Sequence, residues 1–295
     1  MRVAFVILLT AMLLSAADFP IDHVTVAGSD VHKLQANLAA IGIPSVYGGA
    51  HNNKTTEMAL VSLPDGSYLE LMGLQPGADP RLVDQHVWAK FLKGDAGPCA
   101  WALRAPALAA EVQRLKTAGI EVSAPAASGR ERPDGVRLNW ETSDIGGDVR
   151  GTFFPFLIHD LTPRDLRAFP QGKPGTQDFR KITRIVIAVR DLDAAIRRYR
   201  QAFALPAAVQ QVDEAFGARI AVFGGAPVVL AQPLAADSWL AGRLEKFGEA
   251  PTAFVLGAVR PERYQAASQS HWSSADISWF DAEKLGWRLG LEKAR

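Results

Sequence analysis

The chain has 295 residues, of which 48% are hydrophobic and 21% charged, and its formal net charge is +1. That is enough chain and enough apolar surface for one large or two ordinary packed domains, and it excludes a disordered polyelectrolyte. Charges of both signs are mixed and no basic stripe occurs, so nucleic acid is not an expected partner.

The first segment reads as an address. Arg2 gives a positive start, Val3 to Leu14 form an apolar run, and Ser15-Ala16-Ala17 fits cleavage between small residues. The run is shorter than the about 20 residues a membrane span needs. Residues 1–17 are therefore expected to be a signal peptide that leaves no stable membrane anchor, with the mature chain exported to a periplasmic or extracellular location. Cys99 is the sole cysteine, so no internal disulfide forms. It lies in the apolar run Pro98-Cys99-Ala100-Trp101-Ala102-Leu103 and is expected to be a buried, inert thiol.

Ile21 to Val26 predicts a strand, with Val24 and Val26 on one face and His23 and Thr25 on the other. Asp30 is placed to cap a helix whose apolar stripe is Val31, Leu34, Leu38 and Ile41, ending at Gly42. Pro44 and Gly48-Gly49 read as a connection. Met58 to Leu63 and Ser67 to Met72 read as a hairpin around Pro64-Asp65-Gly66. After a polar stretch around residues 73–97 the order recurs. Cys99 to Leu103 is a strand, Leu108, Val112 and Leu115 mark a helix, and Val136 to Thr142 and Phe153 to Ile158 are strands. Residues 161–179 carry three prolines and two glycines and read as a linker.

Residues 180–295 restart the pattern. Ile182 to Ile187 echoes Ile21 to Val26 at an offset of 161, and Asp191 follows Asp30 at the same offset. Arg184 then stands where the first half has His23, and Ala231, or Gln232 with one insertion, stands where it has Glu70. A histidine and a glutamate kept in only one of two similar halves point to a site in residues 18–160. The second half reads as a degenerate copy. No Gly-x-Ser-x-Gly elbow or phosphate-binding Gly-x-x-x-x-Gly-Lys loop occurs, which argues against a serine hydrolase of that type and a nucleotide-binding loop.

Five short stretches occur in order: Asp22-His23-Val24, Gly48-Gly49-Ala50-His51, Tyr68-Leu69-Glu70-Leu71, Arg130-Glu131-Arg132-Pro133-Asp134-Gly135 with Trp140, and Pro155-Phe156. Together they resemble the glyoxalase-like domain family of the vicinal oxygen chelate superfamily, over about residues 18–160. The resemblance implies an α+β fold of repeated βαβββ modules, two module pairs each forming a curved half barrel around a cavity. It also implies lyase, isomerase or dioxygenase chemistry on a small oxygen-chelating substrate, commonly with a divalent metal. The stretch Thr55-Thr56-Glu57-Met58 departs from the family's Gly-Thr-Asn, so only Thr56 is matched there.

His23 and Glu70 match the family's metal-ligand positions and suit Zn²⁺, Fe²⁺, Mn²⁺ or Ni²⁺. His159 is the expected third ligand and His51 the alternative. Glu70 and His51 are the expected catalytic groups. Arg104, Arg130 and Thr56 are the expected substrate contacts, the arginines through a forked grip on a carboxylate. A metal-free protein that binds or sequesters a small molecule is the alternative reading. Homo-oligomerisation is left open.

Overall fold

The computed structural model describes residues 20–294. The segment read as a signal peptide lies outside the described residues. Among the described residues, no helix is long and apolar enough to cross a membrane.

The first half runs β1 (Ile21–Ala27), α1 (Val31–Ala40), β2 (Val46–Ala50), β3 (Thr56–Ser62) and β4 (Tyr68–Leu74). Two short helices follow, α2 (Pro80–Gln85) and α3 (Ala89–Lys93). The second module is β5 (Gly97–Arg104), α4 (Leu108–Thr117), β6 (Ala126–Glu131), β7 (Arg137–Asp144) and β8 (Phe156–Asp160). The eight strands form one sheet in the order β2-β3-β4-β1-β5-β8-β7-β6, so β1 and β5 meet antiparallel at its centre.

After α5 (Arg164–Ala168) come β9 (Phe179–Ala188), α6 (Leu192–Phe203), β10 (Ala208–Asp213), β11 (Ala218–Phe223), β12 (Val228–Pro233) and α7 (Trp239–Phe247). The last module is β13 (Pro251–Ala258), β14 (Ser268–Trp272), β15 (Ala275–Trp279), α8 (Ala282–Leu285) and β16 (Arg288–Lys293). Its strand order, β10-β11-β12-β9-β13-β16-β15-β14, repeats the first sheet. The fold is the repeated βαβββ architecture expected.

Local chemistry explains the elements. Asp30 and Asp191 cap α1 and α6 by accepting backbone N–H bonds, as their spacing predicts. Val31, Leu34 and Leu38 bury one face of α1, each such side chain contributing about 1.5–3 kcal/mol. One hydrophobic cluster joins α1, α4 and α6 to strands of both halves. The opposite, concave sheet faces turn away from this shared core.

Two edge strands differ from the expected connections. Residues 46–50 form β2, with a register irregularity between Tyr47 and Gly49 against β3. Gly49 has φ +102°, and an added Cβ would lie 3.0 Å from Pro133. Glycine-rich edge strands lack the apolar alternation by which strands are recognised. Residues 126–131 likewise form β6, exposed over much of its length.

Candidate functional site

A cavity of about 390 Å³ opens on the concave face of the first sheet. Its polar lining includes His23, His51, Glu70, His86, Arg130 and Arg150. Its apolar lining includes Met58, Leu60, Met72, Trp88, Trp140 and Phe156. Strand alternation explains the selection: Tyr68, Glu70 and Met72 of β4 face the cavity, while Leu69 and Leu71 join the shared core.

His23 is placed by an irregularity in β1. Ile21 pairs with Leu103 and His23 with the adjacent Ala102, leaving Asp22 unpaired in a bulge. The Asp22 carboxylate Oδ1 lies 2.6 Å from His23 Nδ1. The ring stacks on Tyr68 at 4.9 Å and meets the Phe156 edge at 5.4 Å. His23 Nε2 then faces Glu70 Oε2 at 3.7 Å. Glu70 also accepts from the Thr25 hydroxyl at 3.2 Å, and its Oε1 lies 3.9 Å from His51 Nε2. Both imidazoles therefore bracket one carboxylate, at separations longer than a hydrogen bond.

His51 is oriented by the loop after β2. Its Nδ1 is 2.8 Å from the Thr56 hydroxyl, and the Asn53 side chain bonds Thr56 in turn. Burial lowers the His51 pKa and Arg130 adds to this, against the opposing pull of Glu70. Thr56, expected as a substrate contact, is not part of the cavity lining. It positions His51 instead.

The floor of the site is a buried ion network that includes a helix within the stretch read as a linker. Arg167 of α5 donates from Nη1 and Nη2 to the two oxygens of Asp22, each at 2.9 Å. It also donates to Asp160 at 2.6 and 2.8 Å and to the Tyr68 hydroxyl at 2.5 Å. Arg164 of the same helix bonds Asp22 and the Gly66 carbonyl. Burial alone would raise the Asp22 pKa; the Arg167 charge and the hydrogen bonds from His23 and Arg167 outweigh it and hold the carboxyl well below the usual range. Arg132, from the β6–β7 turn, fastens the α5 segment by donating to the Leu166 and Pro170 carbonyls at 2.9 and 2.7 Å.

Arg130 enters the cavity as expected, with only 6% of its surface exposed. Its one hydrogen bond among the described residues goes to the Gly48 carbonyl at 3.3 Å. Two other expectations fail. His159 is not in the lining; Phe156 and Ile158 take the cavity-facing positions of β8, so alternation turns His159 to the other face. Arg104 lies outside this cavity. It donates to the Ile21 and Asp65 carbonyls and sits on a separate groove between the halves.

Sequence reasoning missed His86, Trp88 and Arg150. His86 and Trp88 come with α2 and α3 from a stretch read only as polar, and the Trp88 indole donates to the Arg150 carbonyl at 2.9 Å. The Arg150 guanidinium stacks over Phe156 at 4.2 Å. No local pattern marks these residues. Arg167 carried a faint signal in Arg164-Asp165-Leu166-Arg167, a charged helical turn between prolines.

A profile of the glyoxalase-like domain family matches residues 21–203, well over half of the chain. The chain belongs to the glyoxalase-like domain family, and so to the vicinal oxygen chelate superfamily. No curated protein matches it by sequence. Among solved structures it is similar to a hypothetical protein from Staphylococcus aureus, at 13% identity and TM-score 0.64, covering 93% of this chain and 99% of that one. It is also similar to a triple mutant of 4-hydroxymandelate synthase from Streptomyces coelicolor, at 13% identity and TM-score 0.59, covering 94% of each. At these identities the likeness is one of fold.

Many members of the superfamily hold a divalent metal. A catalytic ion ordinarily takes three protein ligands. The first module offers His23 and Glu70, with His51 facing the same carboxylate from 3.9 Å. In the second, β8 carries Phe156 and Ile158 at the cavity-facing positions, and Ala102 of β5 packs with them. Among the described residues, no three His, Cys, Asp or Glu side chains are grouped to hold an ion. As placed, His23, Glu70 and His51 face one another but are not drawn together into a three-ligand site.

The second half shows how a site is lost. Thr25 pairs with Glu70, and its counterpart Val186 pairs with Val229. Register therefore makes Val229 the counterpart of Glu70, not Ala231 or Gln232. The concave face is filled by Phe216, Trp272 and Trp279 against Leu240 and Leu244 of α7. Arg184, the counterpart of His23, is paired with Glu292 at 2.9 Å.

Proposed function

We propose that this glyoxalase-like protein is an enzyme of the isomerase or lyase type. It would move a proton on a small anionic molecule with adjacent oxygens, held in the first-half cavity. The observation that carries this reading is Arg130. Its guanidinium is buried, it spends one donor on Gly48, and its remaining N–H groups border the cavity beside Glu70. A buried cation with spare donors needs acceptors, and a carboxylate or enolate oxygen supplies them.

In this reading Arg130 holds the substrate oxygens, and the apolar wall of Met58, Met72, Trp140 and Phe156 holds the carbon skeleton. The Glu70 carboxylate takes the proton from the carbon beside a carbonyl. The C–H electron pair forms a C=C bond as the carbonyl becomes an enolate oxygen, which faces Arg130. Returning the proton to the neighbouring carbon, while the hydroxyl proton of the first carbon passes to the enolate oxygen and that hydroxyl becomes the new carbonyl, completes the isomerisation of a hydroxycarbonyl and restores Glu70. His51, kept neutral near pH 7 by burial, is placed to exchange a proton with the oxygens. The test is incubation of 2-oxo and 2-hydroxy acids with the protein in D₂O, reading deuterium wash-in by NMR. Exchange that Glu70→Gln abolishes supports the reading. Acids that bind without exchange would replace it with the sequestering function, which the largely apolar wall favours.

The metal-dependent form expected from the family rests on His23 and Glu70 with His51 as the alternative third ligand, and no step above uses an ion. Elemental analysis of protein purified without metal affinity resin tests it. One equivalent of a transition metal, lost in Glu70→Gln, would reinstate it.

A further inference from the structure

We propose that α5 is a lock that fixes the tautomer and aim of His23, with Arg167 as its positioning residue. This rests on the reading that Glu70 is the base, with His23 beside it at 3.7 Å. Arg167 borders the floor of the cavity, but its hydrogen bonds go to Asp22, Asp160 and the Tyr68 hydroxyl. It binds both Asp22 oxygens, and Asp22 alone meets His23 Nδ1. With Arg167 and Arg164 on it, the Asp22 carboxylate stays ionised and can only accept. His23 Nδ1 must then be the donor to Asp22, which aims Nε2 at the cavity, 3.7 Å from Glu70. A neutral histidine without this partner populates both tautomers and would present N–H to Glu70 in part of the population.

The arrangement is built from separate pieces of chain. Asp22 comes from a bulge in β1, Asp160 from the end of β8, Tyr68 from β4, and Arg164 and Arg167 from α5. Asp160 accepts from Nε and Nη2 of Arg167 and so fixes the plane of its guanidinium. Tyr68 accepts from Nη1 and stacks on the His23 ring. The same cation therefore constrains His23 through Asp22 and through the ring beneath it. Arg132 holds α5 in place through the Leu166 and Pro170 carbonyls. A helix of one turn has little hold of its own, so these contacts place it.

The experiment is long-range ¹H–¹⁵N NMR of histidine side chains in the full chain, with ¹⁵N-labelled imidazoles assigned by His23→Gln. Wild-type His23 is expected as a single Nδ1–H tautomer. Arg167→Met and the near-isosteric Asp22→Asn are expected to give mixed tautomers, and Arg167→Lys to retain most of the Nδ1–H form. Loss of thermal stability with the tautomer unchanged in either disrupting variant would reduce Arg167 to a structural ion pair and overturn the proposal. So would an Nε2–H tautomer or a doubly protonated His23 ring in the wild type. If Arg167→Met does not fold, Asp22→Asn decides alone. The spectrum needs no substrate, so failure of the lock is distinguished from failure of the proton-transfer reading, which shows only in deuterium exchange.

Discussion

Arg167 grips the two carboxylate oxygens of Asp22 at 2.9 Å each, from a helix 145 residues further along the chain. Both groups are buried, Asp22 completely. Removing one member of such a pair strands the other charge in the core, which costs about 3–5 kcal/mol. Arg167→Met is expected to lower stability by that order in chemical denaturation. The double variant Arg167→Met with Asp22→Asn is expected to recover part of the loss, since no charge is then left unpaired.

The same pair sets an acid limit. The folded carboxyl of Asp22 titrates well below its usual range, whereas the unfolded chain takes up that proton near pH 4. A depressed folded value contributes stability that is present above the unfolded value and lost as pH falls through the folded one. Urea melts between pH 3 and 7 should show stability falling as pH drops below about 4. In Arg167→Met this pH dependence should be shallower.

Arg130→Gln should weaken binding of a small carboxylate by roughly tenfold or more, since a hydrogen bond to a charged group contributes about 1.5–3 kcal/mol. His159→Ala should leave binding unchanged, because that side chain faces away from the cavity. Calorimetric titration of both variants with one acid found in the exchange screen makes the comparison.

Cys99 is fully buried on β5, and burial pushes its thiol well above the ordinary range. It should resist thiol-specific reagents in the native protein and react at once in denaturant. Fast native labelling would show that β5 opens.

Gly73 in β4 meets the start of α1. An added Cβ would lie 2.3 Å from the Val31 backbone nitrogen, which cannot swing aside as a side-chain tip does. Gly73→Ala should cost about 1–3 kcal/mol, read as a fall in Tm with the cavity residues unchanged.

Much of the fold was legible in particular residues. Asp30 and Asp191 announced helices, Pro64-Asp65-Gly66 announced a hairpin, and the offset of 161 announced the repeated sheet. These signals are local, or are copies of local signals, and composition carries them. The glycine edge strand at residues 46–50 and the exposed β6 were not legible, because edge strands bury too little to impose alternation. The counterpart of Glu70 was misplaced because a strand register cannot be read from an offset alone.

For the site, the sequence by itself determined that His23 lies on the strand face opposite Val24 and Val26, and that the second half lacks both His23 and Glu70. Those facts follow from the two-residue period of a strand and the comparison of two similar modules. Only the tertiary structure decided the rest. It turned His159 away, carried Arg104 to another groove, brought Arg150 and His86 to the cavity, and made Arg167 the partner of Asp22. Each of these depends on where a loop or short helix folds back across the sheet. That is fixed by buried charge pairs and close packing between segments far apart in the chain, for which no local pattern of residues stands.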